Sequence, residues 1–229
     1  MSNMNKEYKE ARLSNVEGIQ LNERTYNLVI GLVVLFGLAL NYLMYAAFKA
    51  PIIQFTKSHP VIVMIVYFAG ALGGSLLVYK SQNPGISLLG FAIIACSMGI
   101  LLTGLLSLYD PSLIVSALAV TGVVTGVMML LAVLFPTFFL GLGRVLGVSL
   151  LVCIVVELAA TLIFRRSVQF MDWIVALVFC GYIGFDWARA QQYPKTLDNA
   201  VDSAADIYVD VVNLFIRILE IMGRFKKDD

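Results

Sequence analysis

Histidine, cysteine and charged residues are all scarce in this chain of 229 residues. The single histidine is His59, and the three cysteines, Cys96, Cys153 and Cys180, each lie within an apolar run. No cysteine and histidine cluster has the spacing of a zinc or haem site, so we predict no cofactor. Thiols at membrane depth usually pack as small hydrophobic groups, so we expect no disulfide framework either.

The shortage of charge is matched by an excess of apolar residues. Charged residues make up 14% of the chain and hydrophobic residues 60%, whereas soluble domains contain about 25% charged residues. A soluble core cannot bury so much apolar surface, but a bilayer can. The formal net charge of +1 excludes the strongly basic field of a nucleic-acid-binding protein. We therefore predict an integral membrane protein whose surroundings are lipid; its protein partners are open.

Seven hydrophobic segments are long enough, or nearly so, to form membrane helices. A bilayer core of about 30 Å needs roughly 20 apolar residues per helix. The segments are 26–48, 61–79, 86–108, 113–135, 145–164, 171–185 and 207–222. None shows the alternation of an outer-membrane barrel; the sixth is shorter, and the seventh is short and markedly more polar than the rest. This pattern predicts an all-α, polytopic membrane helix bundle of about seven transmembrane helices.

The segments divide the chain into three parts. Residues 1–25 form a polar N-terminal segment that lacks the apolar core and cleavage site of a secretory signal, so we expect the first span to be retained. Residues 26–222 form the transmembrane domain, and residues 223–229 form a charged tail. The short connections favour a bacterial plasma membrane. Lysine and arginine are split evenly between the two sides, which leaves the orientation open; a re-entrant last segment would place the N-terminus in the cytoplasm.

Small residues recur at four-residue spacing within the predicted spans. Such pairs let helix backbones approach closely in lipid, so we interpret them as packing surfaces. The pairs are Gly70 and Gly74, Gly122 and Gly126, and Gly143 and Gly147.

Acidic residues gather around the last two segments. Asp186 ends the sixth segment and Asp210 lies within the seventh. At 100° per residue, one face of the seventh helix carries a polar stripe. Its members are Asp206, Asp210, Asn213, Arg217 and Glu220. Such a helix could lie flat at the membrane interface, or it could stand inside the bundle. The mixture of acids with a base, rather than a lysine-rich face, favours the bundle interior.

Two facing carboxylates at membrane depth would be costly if both were ionised. One acid costs roughly 2.5–3.5 kcal/mol to insert, and a shared proton relieves the repulsion between two. The pair of Asp186 and Asp210 would then respond to pH. When ionised, it repels or gathers a hard cation such as calcium, which prefers oxygen ligands. A protein cation could also neutralise it, and Lys80 and Arg217 are the candidates.

Other acids near this region have two interpretations each. Asp198, Asp202 and Asp206 lead into the last helix at four-residue spacing, as a solvated face that complements the helix dipole or as a cation-attracting vestibule. Glu157 lies within the fifth segment without a charged neighbour in sequence. Its carboxylate either holds helices together by polar contacts or belongs to the ion pathway.

At these residues the sequence resembles the Bax inhibitor-1 family, the transmembrane Bax-inhibitor-motif proteins. The matching stretches are Tyr182-Ile-Gly-Phe-Asp186 and Ile207-Tyr-Val-Asp210-Val-Val-Asn213-Leu-Phe-Ile-Arg-Ile-Leu. The resemblance implies a seven-helix bundle with the last helix central. It also implies a calcium leak regulated by pH.

The resemblance further implies roles for single residues. Asp186 and Asp210 match the proton-sharing pair, and Lys80 takes the place of a basic residue that pairs with them. Lysine lacks the bidentate fork of the arginine found in family members. Two more departures are Phe185, where the family usually has tyrosine, and Glu157, where it has a neutral polar residue. Both would shift the pH response.

Two other functions remain open. Buried acids can hold helices together without transport, as in a non-conducting interaction protein. An intramembrane aspartyl protease also places two aspartates on consecutive spans. Against a protease, Asp206-Ile-Tyr-Val precedes Asp210 where those enzymes have Gly-x-Gly. We therefore predict a pH-sensitive calcium leak and not an enzyme.

Overall fold

Seven long α-helices account for nearly all of the described chain. The computed structural model describes residues 10–16, 18–163 and 169–228. The helices are α1 Glu23–Ser58, α2 Pro60–Lys80, α3 Pro84–Leu106, α4 Pro111–Leu134, α5 Pro136–Leu162, α6 Gln169–Ala190 and α7 Leu197–Asp228. Within the described residues, the only β-type pairing is one isolated bridge between Gln20 and Thr196. The predicted all-α class is confirmed.

Proline begins four of the helices. Pro60, Pro84, Pro111 and Pro136 each stand in the first turn of α2 to α5, where a missing N–H costs nothing and the fixed φ suits a helix. Pro51 behaves differently, because α1 continues past it to Ser58. The first span therefore extends ten residues beyond its predicted end at residue 48. Proline removes one helix bond, but ending the helix in an apolar setting would expose several more backbone groups.

Six of the seven helices are long and apolar enough to cross a membrane. They are α1 to α6, with mean hydropathy from 1.4 to 2.4 over their best windows. Only 17% of that window is buried in α1, α2, α4 and α5, as expected of helices whose apolar sides face lipid. The fifth span begins at Pro136, earlier than the predicted residue 145. The helix α7 has too many charges to qualify by itself.

The helix α7 is nevertheless the most enclosed of the seven. Every residue from 197 to 224 is buried or half-buried. Its apolar side chains include Ile207, Tyr208, Leu214 and Leu219, all with at most 1% exposure. A helix lying at the membrane interface would keep its polar face in water, and α7 does not. This burial agrees with the predicted interior position of the last helix and excludes a helix lying flat in water at the interface.

The chain forms two compact units. The first comprises Met1–Tyr109 and Gln192–Asp206, and in it α3 packs against both α1 and α2. The second comprises Asp110–Gln191 and Ile207–Asp229, and in it α6 packs against α4 and α5. The helix α7 contributes its first ten residues to the first unit and the rest to the second. The domain boundaries at residues 25 and 222 stay predictions.

Glycine permits the closest approach within the first unit. A Cβ placed on Gly74 would lie 2.6 Å from the Gly90 carbonyl oxygen, and one placed on Gly90 would lie 2.7 Å from the Gly74 carbonyl oxygen. The expectation that this segment is a packing surface therefore holds for α2 on α3. By contrast, a Cβ on Gly122 or Gly126 would meet no atom within 4 Å among the described residues. The pair in α4 therefore does not serve as a packing surface against the described residues.

Candidate functional site: polar clusters along the last helix

The polar residues of α7 meet partners from other elements in three clusters. We call them the strap cluster, the aspartate site and the arginine cluster. The strap cluster is in the first unit, and the other two are in the second. The strap cluster contains Arg12, Asp198, Asp202 and Asp206; the aspartate site contains Tyr182, Asp186, Arg189 and Asp210; the arginine cluster contains Glu157, Asp172, Arg217, Glu220 and Arg224.

The aspartate site brings together groups from α6 and α7. Asp186 and Asp210 are 7% and 6% exposed. The hydroxyl of Tyr182 interacts electrostatically with both carboxylates. Arg189 places its Nη2 atom 2.8 Å from Asp186 Oδ1. Tyr182, Asp186 and Arg189 share one face of α6 because their spacings are four and three residues.

Two acids and one base therefore meet at this site. Arg189 was not predicted as the counter-ion, although its three-residue spacing from Asp186 is visible in the sequence. Phe185, the position of the family's tyrosine, packs under the Arg189 guanidinium with 5.1 Å between the charge centre and the ring centroid. Lys80 is exposed at the end of α2, and its pairing with the aspartates stays a prediction.

The arginine cluster joins three helices of the second unit through Arg217. Its Nη1 and Nη2 atoms each lie 2.9 Å from an oxygen of Glu157 on α5, in a fork-to-fork pair. Nη1 also donates to Asp172 on α6 at 2.6 Å and to Glu220 at 3.4 Å. Arg224 pairs with Asp172 as well. The expectation that Glu157 holds helices together by polar contacts agrees with this geometry.

A cavity of about 210 Å³ opens at the arginine cluster. It is lined by all five charged residues of the cluster, together with Ala160 and Thr161. Asp172 and Arg224 were missed by the sequence analysis. Sequence reasoning could not pair Asp172 with these arginines, because it lies in the first turn of α6, far from them along the chain. The cavity gives the second unit a polar space beside α7 that is large enough for several water molecules.

The strap cluster corrects the interpretation of the acids that open α7. Asp198 and Asp202 are 2% and 1% exposed, so they are not a solvated face. Asp198 accepts hydrogen bonds from Ser87 Oγ at 2.7 Å and Asn15 Nδ2 at 2.9 Å. Asp206, predicted to line the ion pathway, lies 3.2 Å from Arg12 Nη1. The N-terminal segment therefore covers these acids.

The remaining predicted residue and the predicted metal site have plainer outcomes. Asn213 donates from Nδ2 to the Val209 carbonyl oxygen of its own helix at 2.8 Å, and its side chain is half-buried. Among the described residues, no three acidic, histidine or cysteine side chains are grouped closely enough to hold a metal ion. Calcium binding by Asp186 and Asp210 stays a prediction.

These features define a class of protein. Six helices are long and apolar enough to cross a membrane, and the last helix carries charges that pair within each unit, which is the organisation of a multi-pass integral membrane protein. The sequence profile of the family described as Inhibitor of apoptosis-promoting Bax1 matches residues 20–227. The chain belongs to this family, which confirms the resemblance drawn from the two motifs around Asp186 and Asp210.

Individual relatives agree with this assignment. An uncharacterized protein of Helicobacter pylori is 29% identical over 161 residues, covering 67% of this chain and 68% of that protein. The Bax inhibitor 1 of Schizosaccharomyces pombe is 38% identical over 96 residues, covering 40% of this chain and 35% of its own. An uncharacterized membrane protein of Streptococcus pyogenes is 24% identical over 217 residues, covering 90% and 93%. No solved structure matches the chain.

Proposed function

We propose that this protein is a pH-sensitive calcium leak of a bacterial plasma membrane, gated by Asp186 and Asp210. The placement of the two acids carries the proposal. Both carboxylates are buried, both interact with the Tyr182 hydroxyl, and Asp186 lies in a helix apolar enough to span the membrane. Acids in such places are rare and usually mark ion or proton pathways.

The charge balance of the aspartate site supplies the switch. At low pH the two acids share a proton beside Arg189. Loss of that proton adds one negative charge in a poorly solvated setting. The two carboxylates then repel each other and attract a hard cation. Separation of α6 from α7 relieves the repulsion and opens the polar side of α7.

The rest of α7 supports a polar route. Asn213 and Arg217 continue the same face of the helix beyond Asp210, and the cavity at the arginine cluster follows them. Arg217 is held by Glu157, Asp172 and Glu220. Its charge is therefore neutralised and does not by itself exclude cations.

Calcium flux into liposomes tests the proposal. The purified protein is reconstituted around a calcium-sensitive dye, and the initial flux is measured from about pH 5 to pH 8. We expect flux that rises with pH in the native protein and does not respond to pH in Asp186→Asn and Asp210→Asn. Asp110→Asn is the matched control, because Asp110 is exposed and its side chain pairs with exposed Lys226. Native pH dependence in Asp210→Asn would sink the mechanism.

A non-conducting interaction protein is the competing function. The observation that favours it is the pairing of Arg217 with acids from three helices, since buried ion pairs can specify packing without transport. Under this alternative the native protein shows no flux at any pH. The Asp186→Leu/Asp210→Leu variant would then fold and unfold like the native protein. The described geometry gives no support to the protease, and we assign no catalytic role to either aspartate.

A further inference from the structure

Backbone hydrogen bonds hold the segment before α1 against the start of α7. We call this segment the strap, and it comprises residues 12–16 and 18–21. The amide of Leu21 donates to the Lys195 carbonyl oxygen at 2.7 Å. The amide of Leu197 donates to the Ile19 carbonyl oxygen at 2.9 Å. Because the strap is fixed at these points, its side chains have a defined inward side and a defined outward side.

The inward side of the strap is polar and its outward side is apolar. Arg12 and Asn15 are 3% and 4% exposed, whereas three aliphatic side chains at three-residue spacing are 44%, 60% and 62% exposed. These are Leu13, Val16 and Ile19. A single exposed aliphatic residue is ordinary on a protein in water. A fixed segment that encloses its arginine and exposes three aliphatic groups is not, because water favours the reverse arrangement. The outward side therefore suits an apolar medium.

Arg12 fixes the level of the strap relative to the first span. Its Nη2 atom donates to Ser203 Oγ at 2.5 Å, and the hydroxyl of Tyr26 lies 3.2 Å from the same Ser203 oxygen. Tyr26 stands in the first turn of α1, where the first predicted span begins. The guanidinium of Arg12 and the beginning of this span therefore meet at one side chain of α7.

Asn15 fixes the level of the strap relative to the third span in the same way. Its Nδ2 atom donates to Asp198 Oδ2 at 2.9 Å, and Ser87 Oγ donates to Asp198 Oδ1 at 2.7 Å. Ser87 stands in the first turn of α3. Two independent contacts thus place the strap where spans begin, which is where the hydrocarbon core of a bilayer meets its headgroup layer.

We propose that the strap is an interfacial membrane anchor that couples the bilayer to the start of α7. Leu13, Val16 and Ile19 enter the boundary between lipid headgroups and acyl chains, as the apolar side of an interfacial segment does. On the other side, Arg12 and Asn15 hold the first turns of α7. Both sets of contacts form only while the strap is in place, so loss of the lipid contact weakens the hold on α7.

The lipid-facing side of α1 identifies the bilayer as the occupant of the outward side. Asn22 alone separates the strap from Glu23, the first residue of α1. Ile19 therefore lies within about 15 Å of Glu23, at no more than about 3.6 Å per extended residue. The helix α1 exposes aliphatic side chains as a membrane span does, among them Leu28 and Leu32. The strap continues this apolar surface along the chain. A second copy of the chain is the competing occupant, and crosslinking distinguishes the two.

Photochemical crosslinking identifies what the outward side contacts. The full-length protein, with p-benzoylphenylalanine in place of Val16, is reconstituted in liposomes of phosphatidylethanolamine and phosphatidylglycerol, and the adducts are separated by mass. We expect a phospholipid adduct in a yield similar to that from the same group at Leu28. The yield should be roughly tenfold above that from Gln82, which is exposed in the polar connection between α2 and α3. An adduct between two copies of the chain, or a phospholipid yield no higher than from Gln82, would overturn the anchor.

Hydrogen exchange in the same liposomes tests the coupling to α7. Val16→Asp places a charge on the outward side and leaves the inward contacts in place. We expect the amides of Leu21 and Leu197, which join the strap to α7, to exchange roughly tenfold faster, with α2 unchanged. Ser14→Asp is the matched control, because Ser14 is an exposed polar residue of the strap, and its exchange should stay native. Unchanged exchange in Val16→Asp, or equal acceleration in Ser14→Asp, contradicts the coupling. If Val16→Asp does not fold, Val16→Ser takes its place, and native exchange in it would equally overturn the proposal.

The anchor does not rest on the calcium leak, and the two proposals fail separately. Crosslinking and exchange are measured without ion flux, so a protein that conducts no calcium should still give the phospholipid adduct. Conversely, absence of that adduct would overturn the anchor and leave the pH dependence expected from Asp186 and Asp210 unaffected.

Discussion

Replacement of Arg217 by alanine should loosen the second unit, because this guanidinium joins three helices. The change removes the fork-to-fork pair with Glu157 and the bonds to Asp172 and Glu220. Arg224 remains, and it still pairs with Asp172. The variant therefore separates the contribution of Arg217 from that of the cluster as a whole.

The expected loss of stability follows from the exposure of each partner. Glu157 and Glu220 are 31% and 27% exposed, so each pair contributes roughly 0–1 kcal/mol, as exposed pairs do. Asp172 is only 6% exposed, and removal of one partner of a buried pair costs about 3–5 kcal/mol. Because Arg224 retains part of that pairing, we expect a total of about 3 kcal/mol in the free energy of unfolding.

Unfolding in mixed micelles of dodecyl maltoside and sodium dodecyl sulfate measures this loss. Trp173 is a suitable fluorescent reporter, because it follows Asp172 in sequence and its ring contacts Phe225. Lys226→Ala is the control, since that pair with Asp110 is exposed and should contribute less than about 1 kcal/mol. The reasoning is refuted if Arg217→Ala and Lys226→Ala lose equal stability.

Two further changes test the first unit. Burial lowers the pKa of Lys195, against a smaller opposing effect of Glu23. Between the lowered pKa and the ordinary lysine value of about 10.4, the unfolded chain binds more protons than the folded protein. The free energy of unfolding therefore rises with pH over this range. Lys195→Met should flatten that rise in unfolding titrations, and an unchanged slope would contradict the assignment. Gly74→Ala should cost about 1–3 kcal/mol, because its Cβ would meet the Gly90 carbonyl oxygen. Gly122→Ala, with open space, should be neutral or stabilising in the same assay, and equal losses would refute the packing argument.

The spans were predictable because insertion into a bilayer is decided segment by segment. Each helix must satisfy its own backbone bonds and present apolar side chains, whatever its neighbours are. The same local logic identified Asp186 and Asp210 as unusual acids. It was less reliable at helix ends: α1 continues through Pro51, because the tertiary setting tolerates one missing bond.

The partners of the charges were not predictable, because they depend on which helices pack together. Arg12 meets Asn199 across 187 positions of sequence, and Arg217 meets Glu157 across 60. No local pattern specifies such pairs. The acids that open α7 illustrate the difference, since a solvated face and a buried cluster have the same spacing in sequence.

The sequence by itself determined that this is a helical membrane protein with acids at the end of its bundle, because hydrophobicity and charge act on each segment separately. Only the tertiary structure decided what those acids do. It enclosed α7, gave Asp186 its counter-ion in Arg189 and brought Arg12 to Asp202 and Asp206. A buried charge needs a partner at hydrogen-bonding distance, and folding alone selects which residue comes that close.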